Sequence, residues 1–237
     1  HVGGSGLPPD GSVRAETFTL DKMKLRLEAE PEVRADKVAE LKANLKSGIA
    51  VEEIDVNIYR GQNESDRPGR LFGGQVAAQS LAAASRTVEN LPAHSLHGYF
   101  LRPGDPAVPV VYSVDRIRDG RSFTTRRVVA QQHGKAIFNM SVSFHAAEPG
   151  YDHQFPMPDV PMPEDLMSRA DYAAKFIDRI PEQFHPWVNR RGPIDTRYGR
   201  PPSFVPSEPS DGPGVVWLRA AARLPEDSRL HQCVLTY

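Results

Sequence analysis

The sequence predicts an α+β fold in which one long helix packs against a face of an antiparallel sheet. Three segments alternate apolar and polar residues, as half-buried strands do: 108–114, 123–129 and 138–144. The pairs Asp119-Gly120 and His133-Gly134 separate these segments, and both pairs favour tight hairpin turns. A helical repeat of apolar residues precedes the strands, at Ala77, Leu81, Ala84 and Val88.

An extension, a short strand and the helix come first along the chain. Residues 1–50 form an N-terminal extension that is partly helical, with a narrow apolar stripe at Val38, Leu41 and Leu45 before Gly48. Residues 54–58 alternate as one short strand, and the alanine-rich helix then closes near Asn90 and Pro92. A further strand at 96–101 completes a meander of four strands, so that residues 51–148 make one α+β unit.

The rest of the chain reads as a linker and the start of a second unit. Residues 149–214 hold more than half of the 22 prolines, which is typical of a surface linker. Residues 215–237 then begin with a strand, and Leu230, Cys233, Val234 and Tyr237 form one apolar helical stripe. This last helix has a start signal and no stop signal, so we expect the natural protein to continue and its second unit to be incomplete here.

Composition narrows the classes of function. The 237 residues carry 29 Lys and Arg against 30 Asp and Glu, a net charge of -1, which provides no global attraction to nucleic acid or to a membrane surface. A single cysteine, Cys233, excludes an internal disulfide and a multi-cysteine metal site and suits the reducing cytoplasm. No apolar run reaches the roughly 18 residues of a membrane span, and the usual signatures of serine hydrolases, zinc peptidases and nucleotide binders are absent from the sequence.

Phe72-Gly73-Gly74-Gln75 lies where a loop enters the alanine-rich helix, and it is the first candidate site. Glycines there let a ligand approach the backbone, and the N–H groups at a helix start can polarise a carbonyl oxygen. The alternative is that the glycines serve close packing of the helix.

Two further groups of residues are candidates. His94 and His97 are three positions apart on an extended segment, which puts their rings on opposite faces and argues against a shared metal ion. One of them at most faces a site, and a hydrogen-bonded structural histidine is the alternative. Arg118, Arg121, Arg126 and Arg127 surround one hairpin, where they could bind phosphate or, alternatively, form surface ion pairs.

A set of long segments supports a more specific interpretation: Tyr59–Gln62, Arg70–Val76, His94–Asp105, Arg118–Phe123, Arg126–Val128, Ser141–Phe144, Val216–Ala220 and His231–Tyr237. In this order they closely resemble the type II acyl-CoA thioesterases, the TesB-like group. The resemblance covers residues 51–237 and leaves residues 1–50 unexplained.

The resemblance implies a double hotdog fold, in which each of two tandem units is a long helix wrapped by an antiparallel sheet. The first hotdog would be residues 51–148, the linker 149–214, and the opening of the second hotdog 215–237. The implied reaction is hydrolysis of fatty acyl-CoA to a free fatty acid and coenzyme A, with no metal or other cofactor.

The resemblance also bears on the site residues. In the family, an aspartate, a hydroxyl residue and a glutamine of the second hotdog activate water, and the aspartate follows the segment that matches Val234–Tyr237. No residue here takes those roles, so we expect these 237 residues alone to be inactive. His94 matches a histidine of the first half and remains a weak candidate for catalysis. Substrate contacts are expected from Phe72, Gly73, Gly74, Gln75, Arg121, Arg126 and Arg127.

Two other classes of function remain open. One is a non-catalytic module that binds acyl-CoA or serves assembly, and the other is a hotdog hydratase or dehydratase, although the first unit has no hydratase-type motif. We expect fatty acyl-CoA as the ligand, no nucleic acid or membrane partner, and a homo-oligomer. The compartment is expected to be the cytoplasm, or the peroxisome in a eukaryote.

Overall fold

The computed structural model describes residues 48–63, 69–189, 192–205 and 214–237. The predicted helical stripe at Val38, Leu41 and Leu45 lies outside these residues. The larger sheet is formed by β1 Val51–Asp55, β2 Ile58–Gly61, β3 Ala93–Phe100, β4 Val110–Asp119, β5 Phe123–Gln132 and β6 Lys135–His145. These six strands lie in the order β1-β2-β4-β5-β6-β3, and every pair is antiparallel.

Strands β4, β5 and β6 confirm the predicted hairpins. The turn between β5 and β6 is His133-Gly134, with φ angles of 49° and 70°. The prediction that β3 belongs to the same meander is wrong, because β3 pairs with β6, with Leu96 opposite Val142. The segment 101–109 crosses the end of the sheet and places β4 beside β2 instead. Strand β3 is therefore an edge of the sheet, and β1 is the other edge.

The single strand predicted at 54–58 is in fact a hairpin of two strands, β1 and β2. The chain turns at Val56-Asn57, where Asn57 has a φ of 59° and the Val56 N–H donates to Asp55 Oδ1 at 2.7 Å. Asparagine adopts the left-handed region readily, and an aspartate before the turn satisfies its backbone. The alternation of Ile54, Val56 and Ile58 continues across a two-residue turn and so conceals it.

Helix α1, Gly73–Ser85, packs on one face of the large sheet. That face consists of buried alternate residues of the central strands: Val110, Tyr112, Val128, Ala130, Met140, Val142 and Phe144. Ala78, Ala83 and Ala84 are fully buried in the helix. Their small side chains let the helix lie close to the sheet, as the alanine-rich pattern predicts.

A smaller sheet is formed by β7 Met167–Ser168, β8 Ile194–Tyr198 and β9 Val216–Ala220, in that order. Helices α2 Arg169–Phe176 and α3 His185–Val188 and short 3-10 turns at 177–179 and 182–184 lie between β7 and β8, and a further 3-10 turn at 163–165 precedes β7. Segment 149–214 is thus not a surface linker throughout, since β8 pairs with β9, with Thr196 opposite Leu218. The prolines flank this strand and do not interrupt it. The division of the chain into domains stays a prediction.

Helix α4, Ser228–Thr236, confirms the predicted last helix. Its N-cap is Asp227, whose carboxylate accepts from the N–H of Arg229 at 3.0 Å and of Leu230 at 3.3 Å. The predicted apolar stripe packs on the core that α1 shares with the large sheet, and Cys233 is buried there. Burial and, to a lesser degree, Asp227 raise the pKa of the Cys233 thiol to about 12.

Helices α1 and α4 run antiparallel along each other. The last residue of the chain, Tyr237, lies beside Gly74 at the start of α1. At the opposite end, Arg229 lies in the first turn of α4. Its guanidinium donates to the carbonyls of Ser85 at 3.3 Å and Val88 at 3.0 Å, at the end of α1. The start of each helix is therefore placed against the end of the other.

Candidate active site

Four of the eight predicted site residues, Phe72–Gln75, lie at the start of α1. Phe72 is the N-cap residue, and its side chain forms no capping hydrogen bond. The first turn carries no acidic residue. Leu71, just before the cap, donates its N–H to the Gly104 carbonyl at 3.1 Å, so the segment after β3 fixes the direction in which the chain enters the helix.

The two glycines of this segment allow close contacts that no larger residue could accept. A Cβ at Gly73 would stand 2.8 Å from the Phe100 ring, and one at Gly74 would stand 1.8 Å from the Tyr237 carbonyl oxygen. The Phe72 ring lies edge-on to the Tyr237 ring, with centroids 5.1 Å apart. Both glycines therefore serve close packing, and Gly74 in particular admits the backbone at the end of α4.

Gln75 faces the interior and not the surface. Its Nε2 donates to the Gln62 carbonyl at 2.9 Å, and Gln79 donates to the same oxygen at 2.9 Å. The Tyr112 hydroxyl completes the network by donating to Gln79 Oε1 at 2.5 Å, and burial raises the pKa of Tyr112 well above its usual value. The Gln75 side chain thus holds α1 on the end of β2, so a ligand contact of Gln75 would have to use its backbone N–H.

The predicted role of Arg126 in phosphate binding has to be corrected, because its side chain is only 1% exposed. The guanidinium donates to Thr87 Oγ1 at 2.7 Å and to the Thr87 carbonyl at 3.0 Å, just beyond the end of α1. It also donates to the carbonyls of Arg118 and Thr125, each at 3.0 Å, and to the Asp119 carboxylate. These five hydrogen bonds occupy the whole guanidinium. Arg126 therefore stabilises the junction of α1 with the β4–β5 hairpin.

The other two predicted arginines are exposed at the same hairpin. Arg127 lies on the face of the sheet turned away from α1 and pairs with Asp115 at 3.1 Å. Arg121 lines an open cleft of about 330 Å³ together with Arg116, Glu89 and residues of the turn. This cleft is at the end of α1, whereas Phe72 and the glycines are at its start. The structure therefore does not bring the two predicted groups together.

His94 lies on the outer face of the sheet, away from α1. Its Nε2 is 2.8 Å from Ser143 Oγ, and its ring packs edge-on to Phe123 and to His145, with centroids 5.7 Å and 5.5 Å apart. Burial and, to a lesser degree, His145 lower the pKa of His94. His97 contacts Tyr99 instead, at 4.7 Å between ring centroids. The structure thus places neither histidine at the start of α1.

Sequence reasoning missed the contacts that α4 makes with α1 and with the start of β3. Tyr237 reaches the glycines, Arg229 binds the carbonyls at the end of α1, and Gln232 bonds to both backbone groups of Ala93, at 3.1 and 2.7 Å. The apolar stripe of α4 signals that the helix packs on a partner. It does not reveal that the partner is α1.

Neither a metal cluster nor a membrane span is found in the parts of the chain that the structure describes. Over residues 48–63, 69–189, 192–205 and 214–237, no three His, Cys, Asp or Glu side chains are grouped as metal ligands. Within the same ranges, no helix is both long and apolar enough to cross a bilayer.

Comparison with known proteins finds similarity to acyl-CoA thioesterases in sequence and in structure. Residues 63–145 match the family described as the acyl-CoA thioesterase N-terminal domain. Acyl-coenzyme A thioesterase 8 of Mus musculus is 38% identical over 215 residues, which are 86% of this chain and 67% of the mouse protein. The crystal structure of the acyl-CoA thioesterase II TesB2 of Mycobacterium marinum is 40% identical, with a TM-score of 0.61 over 81% of this chain and 66% of that one.

A hot dog fold protein of unknown function from Alicyclobacillus acidocaldarius supports the fold alone. It is 23% identical, with a TM-score of 0.63 over 81% of this chain and 68% of that chain. The 237 residues thus span about two thirds of the length of each of these relatives.

Proposed function

This chain belongs to the type II acyl-CoA thioesterases, hotdog-fold hydrolases of acyl-CoA thioesters, and on that premise we propose that it positions the thioester of a fatty acyl-CoA at the start of α1. Water attacks the thioester carbonyl there, the C–S bond breaks, and the products are a fatty acid and coenzyme A. No metal or other cofactor takes part in this proposal.

The observation that carries the proposal is the difference between the two helix starts. At α4 the Asp227 carboxylate already accepts from the first N–H groups, so a carbonyl oxygen that gains negative charge would be repelled. At α1 the side chain of the N-cap residue, Phe72, forms no capping hydrogen bond, and no acidic residue lies in the first turn. The partial positive charge of a helix start stabilises a developing oxyanion. Of these two helix starts, α1 therefore fits the reaction better.

The group that activates water is expected close to the same point. The resemblance places the family's aspartate directly after the segment that matches Val234–Tyr237, and here the Tyr237 carbonyl lies against Gly74. Residues that follow such a segment emerge beside the start of α1. The proposal thus joins an oxyanion site of the first unit to a water-activating group of the second.

We place the phosphates of coenzyme A near Arg121, at the other end of α1. A helix of 13 residues is about 20 Å long, a distance comparable to an extended pantetheine arm. Arg121 and Arg116 both line the cleft there, and neither is buried as Arg126 is. In an active form of the protein, Arg121→Ala should then raise KM with little change in kcat, whereas an unchanged KM would remove Arg121 from the site.

The test of hydrolysis is release of free thiol from a series of fatty acyl-CoA substrates. One sample is the 237-residue chain, and the second is the same chain joined to the part of Mycobacterium marinum TesB2 that follows its matched region. We expect negligible turnover by the first and ready turnover by the second. If the joined protein binds acyl-CoA without hydrolysing it, the function is that of a binding module. Hydration of an unsaturated acyl chain with the thioester intact would favour the hydratase alternative.

The proposal extends to the compartment and the assembly of the protein. A single cysteine, buried and with a raised pKa, suits a reducing compartment, and we propose the cytoplasm. Fractionation of cells that express the tagged protein tests this, and recovery in an organelle fraction would contradict it. We also propose a homo-oligomer that forms through edge strand β3 of the large sheet.

A further inference from the structure

Gln132 is a buried amide at the end of β5 that the proposed reaction leaves without a role. Its side chain is 5% exposed, and within the described part of the chain its hydrogen bonds go to the segment between β3 and β4. Its Oε1 accepts from the Asp105 N–H at 2.8 Å, and its Nε2 donates to the carbonyls of Asp105 at 2.8 Å and Val108 at 2.5 Å. Burying an amide is costly unless it is bonded, and these three hydrogen bonds compensate for the burial.

The segment that Gln132 holds is the one that guides the chain into α1. Gly104 immediately precedes Asp105, and its carbonyl accepts from the Leu71 N–H at 3.1 Å. Gly104 also lies against the Leu71 side chain, because a Cβ at Gly104 would stand 2.7 Å from Leu71 Cδ1. Leu71 is followed directly by Phe72 and the two glycines.

A second amide and the backbone of β6 hold the same segment. Asn63 donates through Nδ2 toward the carbonyls of Asp105 at 3.4 Å, Pro106 at 3.3 Å and Val108. The N–H groups of Leu101 and Arg102 both donate to the Ile137 carbonyl, at 2.8 and 3.2 Å. The segment is thus fixed at its beginning by backbone and further along by amide side chains.

We propose that Gln132 is a positioning residue: by holding the Asp105–Val108 segment it sets Gly104, and through Gly104 the position of Leu71–Gly74 at the start of α1. This inference rests on the proposed function, because the start of α1 matters for the reaction only if the thioester binds there. Gln132 itself touches no substrate and acts through the backbone of the segment.

The first test is hydrogen exchange in the 237-residue chain, and it does not depend on activity. In Gln132→Leu the Asp105 N–H loses its acceptor, and the carbonyls of Asp105 and Val108 lose a donor. The Leu71 N–H should therefore exchange at least about tenfold faster, which corresponds to a loss of roughly 1.4 kcal/mol of local protection. The matched control is Gln131→Leu, the same change on the adjacent residue of β5, whose side chain points to the opposite face. Its Leu71 exchange should stay at the wild-type rate. Unchanged Leu71 exchange in Gln132→Leu, or an equal increase in both variants, would overturn the inference.

The second test is kinetic and uses the form that hydrolyses acyl-CoA in the thiol-release assay. A displaced helix start should lower kcat by about 10- to 100-fold, with KM changed by less than about threefold because the distant cleft is untouched. Unfolding of the variant would instead reduce the number of active molecules. We therefore calculate kcat per active site, and the number of active sites is measured by acyl-CoA binding. An unchanged kcat in Gln132→Leu would refute the positioning role.

Gln132→Glu separates positioning from simple stabilisation. The carboxylate keeps the acceptor for the Asp105 N–H but faces two carbonyls as a negative charge, and a protonated carboxyl can donate to one of them again. The ratio of variant to wild-type kcat should therefore rise as the pH falls, and a flat ratio would contradict the inference. If the wild-type form shows no turnover at all, the proposed function fails while Leu71 exchange still decides the role of Gln132.

Discussion

Two adjacent arginines of β5 show how the face of a strand decides a role. Arg126 lies on the α1 side, where five hydrogen bonds occupy its guanidinium. Arg127 lies on the outer side and makes one exposed ion pair with Asp115. Arg126 and Arg229 together bind carbonyls at the end of α1, where the helix has no basic residue of its own. Cations favour a helix C-terminus, so both arginines stabilise this end of the helix.

Replacing Arg126 should therefore cost far more stability than replacing Arg127. In Arg126→Leu the carbonyls of Thr87, Arg118 and Thr125 lose a charged donor, and we expect a loss of about 1.5–3 kcal/mol in the free energy of unfolding. Arg127→Leu removes an exposed pair and should cost less than about 1 kcal/mol. Urea unfolding of both variants measures the difference. Equal losses would mean that Arg126 is not the structural residue described above.

His94 makes the stability of the folded protein depend on pH. Its pKa is lowered in the folded state by burial and then by His145, so the unfolded chain takes up the proton first. The contribution of His94 to stability is thus complete above its unfolded pKa and is lost as the pH falls toward its lower folded pKa.

An NMR titration of the His94 ring checks this directly. In His145→Gln the charge on the neighbouring ring is gone, so the pKa of His94 should rise toward its ordinary value while the effect of burial remains. Ser143→Ala is the control, since it removes the 2.8 Å contact without removing a charge. A pKa of His94 that does not move in His145→Gln would contradict the coupling of the two rings.

At the scale of elements, the packing of α1 against α4 depends on Gly74. Alanine normally stabilises a helix relative to glycine by about 0.5–1 kcal/mol. At position 74 a Cβ would collide with the Tyr237 carbonyl and the Phe72 ring. We expect Gly74→Ala to lower the free energy of unfolding by roughly 1–3 kcal/mol, as overpacking does. A more stable Gly74→Ala protein in urea unfolding would show that α4 does not lie against the start of α1.

Periodicity predicts those elements whose two faces differ in polarity. The apolar residues of β4 and β6 and the stripe of α4 identify those elements and their buried faces. On β5 the alternation is misleading, because Phe123 is exposed while Thr124 and Arg126 face the core. A buried polar residue is recognised only when its partners are known, and the partners of Arg126 come from other elements.

The candidate site was predictable in part for the same reason. The motif around Gly73 and Gly74 predicts either a ligand close to the backbone or close packing of the helix, and the structure shows close packing at both glycines. It does not reveal which backbone approaches, since Tyr237 is far away in sequence. Likewise, four arginines near one turn suggest a phosphate site. Adjacent residues of a strand point to opposite faces, however, so Arg126 is buried while Arg127 is exposed.

At the scale of the whole molecule, the two edges of the large sheet differ in charge. Edge strand β1 carries Glu52, Glu53 and Asp55, and charged side chains oppose pairing with another chain. Edge strand β3 carries no Asp, Glu, Lys or Arg, and its Leu96, Tyr99 and Phe100 are exposed. The apolar stripe of α4 is not available for association, because it packs on the core that α1 shares with the large sheet. Strand β3 is therefore the edge at which association is expected.

Light scattering over a tenfold dilution series of the 237-residue chain tests this expectation. We expect association above the 26.2 kDa of one chain, decreasing on dilution. Leu96→Lys places a charge on β3 and should favour the monomer, whereas Ile54→Lys makes the same kind of change on β1 and should leave association unaltered. A monomer at every concentration would overturn the proposed homo-oligomer.

The contact of α4 with the first sheet has a consequence for the order of events during synthesis. Gln232 satisfies both backbone groups of Ala93 across a separation of 139 residues, and Cys233 fills the same core as α1. At 5–20 residues per second the ribosome needs about 7–28 s to make that intervening stretch. Throughout this interval the surface of α1 that α4 later covers stays exposed on the nascent chain. The first sheet is then complete before its helix is covered, which makes these seconds the period when chaperone binding would matter most to this protein.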